Sequence, residues 1–282
     1  MKHFRKQELC FAESPCLQLV DAVDDKNDFE RAIASERFII SSVYLKVPEG
    51  TCSDSEEDLD TSKWKVDKSR LVFSSYTTTM IEEMFLSGAV PIKKDAEAQV
   101  LMLGLGGGMM NSYLHHMYPK MNITVVEIDQ KMYEVAVKWF DLEEDNRQRV
   151  IIMDGVTFLK NALKEDLQYD VIHVDVCSIR PEITSFCPSA AFYSLDVVRI
   201  LSKLTSKKGV VIINVLASES ITARAMKLKF LYESEFSECR SEFSIYGQAN
   251  MVVTCSHSDR PEGLEMKYRK FAKYPQKFLS GT

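Results

Sequence analysis

The sequence lacks any apolar run near the ~20 residues that a membrane-crossing helix needs. Its start, MKHFRKQELCFAESP, has no apolar core ahead of its acids and proline. Neither a membrane span nor a secretory leader is therefore expected. The seven cysteines, at 10, 16, 52, 177, 187, 239 and 255, include no C-x-x-C pair and no regular spacing. That pattern signals neither a disulfide framework nor a metal site, and it predicts reduced thiols in a cytoplasmic or nuclear protein. A basic excess is missing too: 35 Lys and Arg stand against 41 Asp and Glu, a formal net charge of −6, so nucleic acid is not the expected partner. No internal repeat of fixed period is found. What remains is an ordinary globular composition, 45% hydrophobic and 27% charged over 282 residues, enough chain for one or two domains with a large core.

Short apolar runs at 16–20 (CLQLV), 37–47 (RFIISSVYLKV) and 70–73 (RLVF) suit strands, and the acidic stretch SDSEEDLD at 53–60 reads as a solvated loop. Residues 1–75 are thus expected to form a small β-rich N-terminal domain, and residues 76–282 a second domain. Helical spacing runs from Tyr76 to Leu86, and after Pro91 the chain alternates between buried strand and amphipathic helix. The strands predicted are Val100 to Leu103, Ile123 to Glu127, Val150 to Met153, Tyr169 to Asp175 and Gly209 to Val215. Helices are predicted at Asn111 to Tyr118, Lys131 to Phe140, Val156 to Leu163, Ala190 to Leu204 and Ser220 to Tyr232. This is an α/β, doubly wound parallel sheet. SEFSIY and NMVVTCS then read as an antiparallel C-terminal hairpin joined at Gly247.

In VLMLGLGGGMMNSYLHH an apolar strand runs into Gly104, Gly106, Gly107 and Gly108 and then into a helix. Glycines let the backbone approach a ligand, and the helix amides favour an anionic group. The next strand, ITVVEID, ends in Glu127, 19 residues beyond Gly108 and close to the ~20-residue spacing at which a carboxylate meets a ribose diol. A dinucleotide fingerprint would want Gly or Ala where this chain has Met109, so S-adenosylmethionine fits better than a nicotinamide dinucleotide. The third strand ends in Asp154 and Gly155, the carboxylate placed to accept from an adenine amino group, and the fourth ends in Asp175. His115 and His116 are helix neighbours pointing about 100° apart, too divergent for joint metal ligation. His173, on the strand face of Asp175, reads as a hydrogen-bonded core residue.

The segments GLGGG, VEIDQKMYEVAVKWF, MDG and YDVIHVDV, continued by DVCSIRPEITSFCPSAAF and GQANMVVTCSH, resemble the spermidine synthase-like branch of class I (Rossmann-like) methyltransferases over roughly residues 70–257. Within it they resemble the lysine and N-terminal methyltransferases of elongation factor 1-alpha. The resemblance implies S-adenosylmethionine as cofactor, with Glu127 on its ribose and Asp154 near its adenine. It also implies transfer to an amine nitrogen, on a protein substrate, and a small N-terminal domain that takes part in a homodimer.

Departures from the family pattern narrow the acceptor. An aminopropyltransferase carries a D-x-x-D pair where this chain has Asp175 and Ser178, and its substrate tyrosine falls at Ile81 in an ungapped match, although Glu82 and Glu83 remain as acceptor-binding candidates. A diamine needs a carboxylate for each desolvated ammonium, so one anchor is missing. The methyltransferase relatives in turn carry further acids where this chain has Cys177 and Arg180. Asp175 is the catalytic candidate. With reference pKa values of about 3.9 and 10.4, proton transfer from a lysine to a carboxylate is uphill by roughly 9 kcal/mol, so the expected role is to hold and orient the ammonium. Two other readings stay open: an aminopropyltransferase using decarboxylated S-adenosylmethionine, and a non-catalytic protein that keeps the fold.

Overall fold

The computed structural model describes residues 2–11, 14–24, 27–35, 39–51, 59–72, 76–178, 185–217, 220–244 and 250–272. Four antiparallel strands come first: β1 (Lys2–Phe11), β2 (Ser14–Val23), β3 (Phe29–Ala34) and β4 (Ile39–Tyr44), paired in chain order. The polar sequences of β1 and β3 conceal them from a search for apolar runs. RLVF, expected as a strand, is irregular over its described part, residues 70–72. Arg70 is held there by Asp28 at 3.0 Å and lies 4.1 Å from the Tyr44 ring centroid. Most of the acidic stretch, residues 53–58, lies outside the described residues.

The larger sheet follows α1 (Tyr76–Leu86). Its parallel part consists of β5 (Ala98–Leu103), β6 (Met121–Glu127), β7 (Gln148–Ile152), β8 (Tyr169–Val174) and, after the three-residue β9 (Ser185–Cys187), β10 (Thr205–Ala217). An antiparallel hairpin, β11 (Glu238–Phe243) and β12 (Met251–Ser256), completes it. The order is β7-β6-β5-β8-β10-β12-β11, with β9 paired to β10. Helices α2 (Met109–Met117), α3 (Gln130–Trp139), α4 (Gly155–Lys164), α5 (Leu195–Leu204) and α6 (Ile221–Tyr232) make the connections, and α7 (Leu264–Ala272) ends the described chain. The expected hairpin is present, and its turn at Gly247 lies outside the described residues.

Strands buried on both faces are near-continuous apolar runs, and these divide between two cores. Leu101, Leu103, Ile172, Val174, Val211 and Ile213 face α4, α5 and α6. Val100, Met102, Val171, Val210 and Ile212 face α1, α2 and α7. The N-terminal sheet packs Leu9, Leu17, Leu19, Ile33 and Val43 against Met109 and against Met132, Val135 and Trp139 of α3. Beneath that contact Arg31, 1% exposed, makes two 2.7 Å bonds to Asp21 and also donates to the carbonyl oxygens of Trp139 (2.9 Å) and Thr61 (2.7 Å). Four of the guanidinium's five N–H donors and both carboxylate oxygens are thus engaged, the condition for tolerating a buried charge. No helix among the described residues is long and apolar enough to cross a membrane.

The cysteines depart from expectation. Cys10–Cys16, Cys177–Cys187 and Cys239–Cys255 are disulfide-bonded, and Cys52 lies outside the described residues. Cys239 and Cys255 are direct cross-strand partners in the hairpin, and Cys10 and Cys16 come from the adjacent strands β1 and β2. Strand pairing, invisible to a spacing rule, brings them within bonding reach. The expectation of a cytoplasmic protein rested on reduced thiols and loses that support.

Candidate functional site

The connections reverse direction between β5 and β8, and in such sheets the crevice beyond the carboxyl ends at the reversal is where ligands bind. Register sets the lip: Gly104 N–H donates to Val126 O, Asp175 N–H to Leu103 O, and Met153 N–H to Glu127 O, each at 2.9 Å. Glu127, Asp154 and Asp175 therefore end adjacent elements around the glycine loop.

The loop's glycines are needed by the protein itself. Gly104 has φ +96°, and a Cβ there would lie 2.4 Å from the carbonyl oxygen of Asp175. A Cβ on Gly107 would lie 2.7 Å from Ser41 Oγ of β4 and 2.9 Å from the Phe140 ring. The N-terminal sheet thus reaches over the loop, a contribution the sequence reading did not anticipate. Gly106 and Gly108 also have positive φ, and Gly108 caps α2. Gly155 differs: its Cβ would find ordinary contacts at 3.9 and 4.0 Å, so nothing among the described residues demands glycine there.

Glu127 is 8% exposed, and each carboxylate oxygen accepts a backbone amide: Oε2 from Leu105 at 3.0 Å and Oε1 from Asp129 at 2.9 Å. Burial raises its pKa above the usual range, and the amide bonds oppose that shift. A carboxylate has about four lone-pair positions, so acceptor capacity beyond these two bonds can serve a ligand's hydroxyls. Ile128 beside it is 69% exposed, an apolar side chain at the crevice lip that the sequence reading passed over. Asp154 caps α4, its Oδ1 accepting from Thr157 N (2.8 Å) and Oγ1 (2.9 Å). Among the described residues no donor reaches its Oδ2.

Asp175 is half-buried and held by two neutral donors: Tyr76 Oη to Oδ2 and Asn214 Nδ2 to Oδ1, both 2.8 Å. Desolvation raises its pKa, and both hydrogen bonds pull against that. Tyr76, desolvated and facing this carboxylate, is raised well above the ordinary tyrosine value and stays a donor. Neither partner was anticipated; the signals were an aromatic at the first helical position of α1 and a lone amide in the apolar strand VVIINVLA. His173 is fully buried on the same strand face, and neither ring nitrogen has a hydrogen-bond partner among the described residues, contrary to the expected bonded histidine.

Glu82 and Glu83 do not join this group. They lie six and seven residues beyond Tyr76, roughly 9–10 Å along α1, and both are buried. Glu83 is paired with Arg260. Desolvation raises the Glu83 pKa, opposed chiefly by that guanidinium. Arg180 lies outside the described residues, and Cys177 is tied to Cys187.

A family model described as the spermine/spermidine synthase domain matches residues 79–242, more than half of the chain. The chain belongs to the spermine/spermidine synthase domain family. Its sequence is 32% identical over 173 residues to the eEF1A lysine and N-terminal methyltransferase homolog of Drosophila pseudoobscura pseudoobscura, covering 61% of this chain and 25% of that protein. It is 44% identical over 87 residues to the probable polyamine aminopropyl transferase of Bifidobacterium longum, 31% of this chain and 18% of that one. The chain thus spans about a quarter or less of either relative's length in these matches. The solved structure of human methyltransferase-like protein 13 in complex with SAH superposes with a TM-score of 0.63 at 23% identity, covering 71% of this chain and 93% of that one. That likeness establishes the class I methyltransferase fold. The spermine/spermidine synthase-domain match includes the glycine loop, Glu127, Asp154, Asp175 and Asn214, while Ser41, Tyr76 and Asn250 fall outside it.

Proposed function

We propose that this protein binds S-adenosylmethionine at the carboxyl edge of the large sheet and methylates an amine nitrogen of a protein, a lysine or an N-terminal amine. The observation that carries the proposal is the pairing of a buried Glu127, anchored to the glycine loop by backbone amides, with the Asp175 carboxylate held at the end of β8 by Tyr76 and Asn214. The methyltransferase relative supports the reaction class, and the solved neighbour's SAH supports the cofactor.

The residues fit such a cofactor. Glu127 receives the ribose hydroxyls, Asp154 Oδ2 the adenine amino group, and Ile128 offers an apolar face to the ring. The loop and the start of α2 suit a carboxylate. When bound, S-adenosylmethionine supplies an electrophilic methyl group. Asp175 then holds the acceptor ammonium, with Tyr76 and Asn214 fixing the carboxylate and favouring its anionic form against the desolvation. The attacking nitrogen must be neutral, and burial beside positive charge lowers an amine's pKa so that water can take its proton. Positioning supplies the rest of the catalysis.

A second reading, aminopropyl transfer, is favoured by the 44% identical bacterial segment. Isothermal titration against S-adenosylmethionine and its decarboxylated form decides between them. Micromolar binding of the first with weaker binding of the second is expected; the reverse preference overturns the proposal. The same reading carries a homodimer formed through the N-terminal sheet, checked by light scattering.

A further inference from the structure

Strand register places three polar residues in a row across the sheet. Ile212 of β10 stands opposite both His173 of β8 and Thr254 of β12, and Asn214 stands opposite Val252. With side chains alternating faces, Asp175, Asn214 and Asn250 share the face of His173, Ile212 and Val252, on neighbouring chains about 4.8 Å apart. They are bonded in series: Asn250 Nδ2 donates to Asn214 Oδ1 at 2.8 Å, and Asn214 Nδ2 donates to Asp175 Oδ1 at 2.8 Å. Asn214 is 1% exposed, and Asn250 is half-buried just ahead of β12.

An asparagine amide can turn over, exchanging its oxygen and nitrogen. Turned over, Asn214 would set its oxygen against the Asp175 carboxylate and its nitrogen against the Asn250 amide nitrogen, two repulsive contacts in place of two bonds. The acceptor-only carboxylate therefore sets the orientation of Asn214, and the Asn250 donor, matched to the oxygen this leaves, braces Asn214 in it. Resting on the proposed function, we infer that Asn214 and Asn250 form a two-amide strut that holds the Asp175 carboxylate in the orientation that receives the acceptor amine. Asn250 acts only through Asn214. Both are positioning residues, since neither is placed on cofactor or acceptor.

The test uses the full chain with Asn250→Ala, Asn214→Ala and the double variant. The Asp175 carboxyl carbon is followed by NMR in aspartate-labelled protein and assigned from the Asp175→Asn spectrum. The groups facing Asp175 are Tyr76 from α1 and Asn214 from β10, with His173 two residues back on β8. Loss of a donor to a charged oxygen corresponds to a rise of about 1 unit in the Asp175 titration midpoint. That rise is expected in Asn214→Ala, a smaller one in Asn250→Ala, and none beyond Asn214→Ala in the double variant. In parallel, with eEF1A as the acceptor probe, the acceptor KM is expected to rise ~10-fold while the S-adenosylmethionine Kd, read by titration calorimetry, stays unchanged. Asn250→Ser, which keeps a donor, restores the wild-type midpoint.

An unmoved midpoint in Asn250→Ala, additive shifts in the double variant, or an equal loss of cofactor affinity overturns the strut. Should the wild type methylate nothing, the proposed function fails, yet the titration still reads the strut. If Asn214→Ala does not fold, Asn250→Ala and Asn250→Ser alone decide it.

Discussion

Replacing Glu127 by glutamine keeps the shape of the side chain and removes its charge. In the native protein both carboxylate oxygens accept backbone amides, from Leu105 and Asp129. A glutamine offers one oxygen, so one of those N–H groups would meet an amide nitrogen and be left unsatisfied, at a cost of about 1–3 kcal/mol. Relief from burying a charge offsets part of this, so a small net loss of stability is expected. Cofactor affinity responds more strongly, because a charge-assisted acceptor for the ribose hydroxyls is lost. At about 1.5–3 kcal/mol, this is roughly a 10- to 100-fold rise in Kd. The pH dependence provides a second check. Because burial raises the folded-state pKa of Glu127, the folded protein binds that proton more tightly than the unfolded chain does. This group's contribution to stability therefore grows as pH falls through the folded pKa, while its service to the cofactor declines. Calorimetric titration from pH 7 downward should show wild-type affinity falling towards that of Glu127→Gln, with the variant flat. A folded glutamine variant with wild-type Kd at neutral pH would refute the assignment of Glu127 to the cofactor.

Gly104→Ala should be strongly destabilising and abolish cofactor binding, because a Cβ would lie 2.4 Å from a backbone oxygen at φ +96°. Gly106→Ala, with 3.7 Å of room, should lose only ~1–2 kcal/mol for its left-handed backbone; thermal unfolding of both checks the contrast. His173 is pushed down to about 3 by burial, so the unfolded chain takes up its proton first, and stability present above pH 6.5 is lost as pH falls. The loss attributable to this residue is about 2 kcal/mol between pH 6.5 and 5, and His173→Leu should remove it, as read by urea unfolding at the two pH values. Arg31→Met strands Asp21 in the core and should lose about 3–5 kcal/mol, most of it recovered by adding Asp21→Leu; equal stability of the single and double variants in urea would contradict this.

Periodicity made the large sheet legible. α1 occupies the residues that the helical spacing indicates, and all five parallel strands of the doubly wound part lie within a few residues of their apolar runs. Strands buried on both faces must be apolar throughout, so composition alone locates them. The N-terminal sheet has one face outward, which is why the polar β1 and β3 went unread. At the site, the strand-end acids were visible because strand ends are visible, but their partners were not. Tyr76 reaches Asp175 across 99 positions and Asn214 across 39, separations fixed by tertiary packing and strand order. Glu82 and Glu83 illustrate the converse. Adjacent acids within a helix suggest an exposed pair, yet the part of α1 that carries them is covered by the sheet and by Arg260.

Charge count at the acceptor end bears on the choice between the two reaction classes. A diamine entering a desolvated crevice brings two ammonium groups, and each needs an anionic or multiply accepting partner. Asp175 supplies one carboxylate, with both oxygens partly committed to Tyr76 and Asn214. Three residues on, where an aminopropyltransferase has its second acid, stands the neutral Ser178. Glu83 cannot substitute without leaving Arg260, and separating a buried ion pair costs about 3–5 kcal/mol. A lone amine tethered to a protein asks for one carboxylate and no more, and its remaining binding energy can come from the polypeptide on which it is carried. Among the described residues, the one anchored acid at the end of β8 therefore suits a macromolecular amine better than a free diamine.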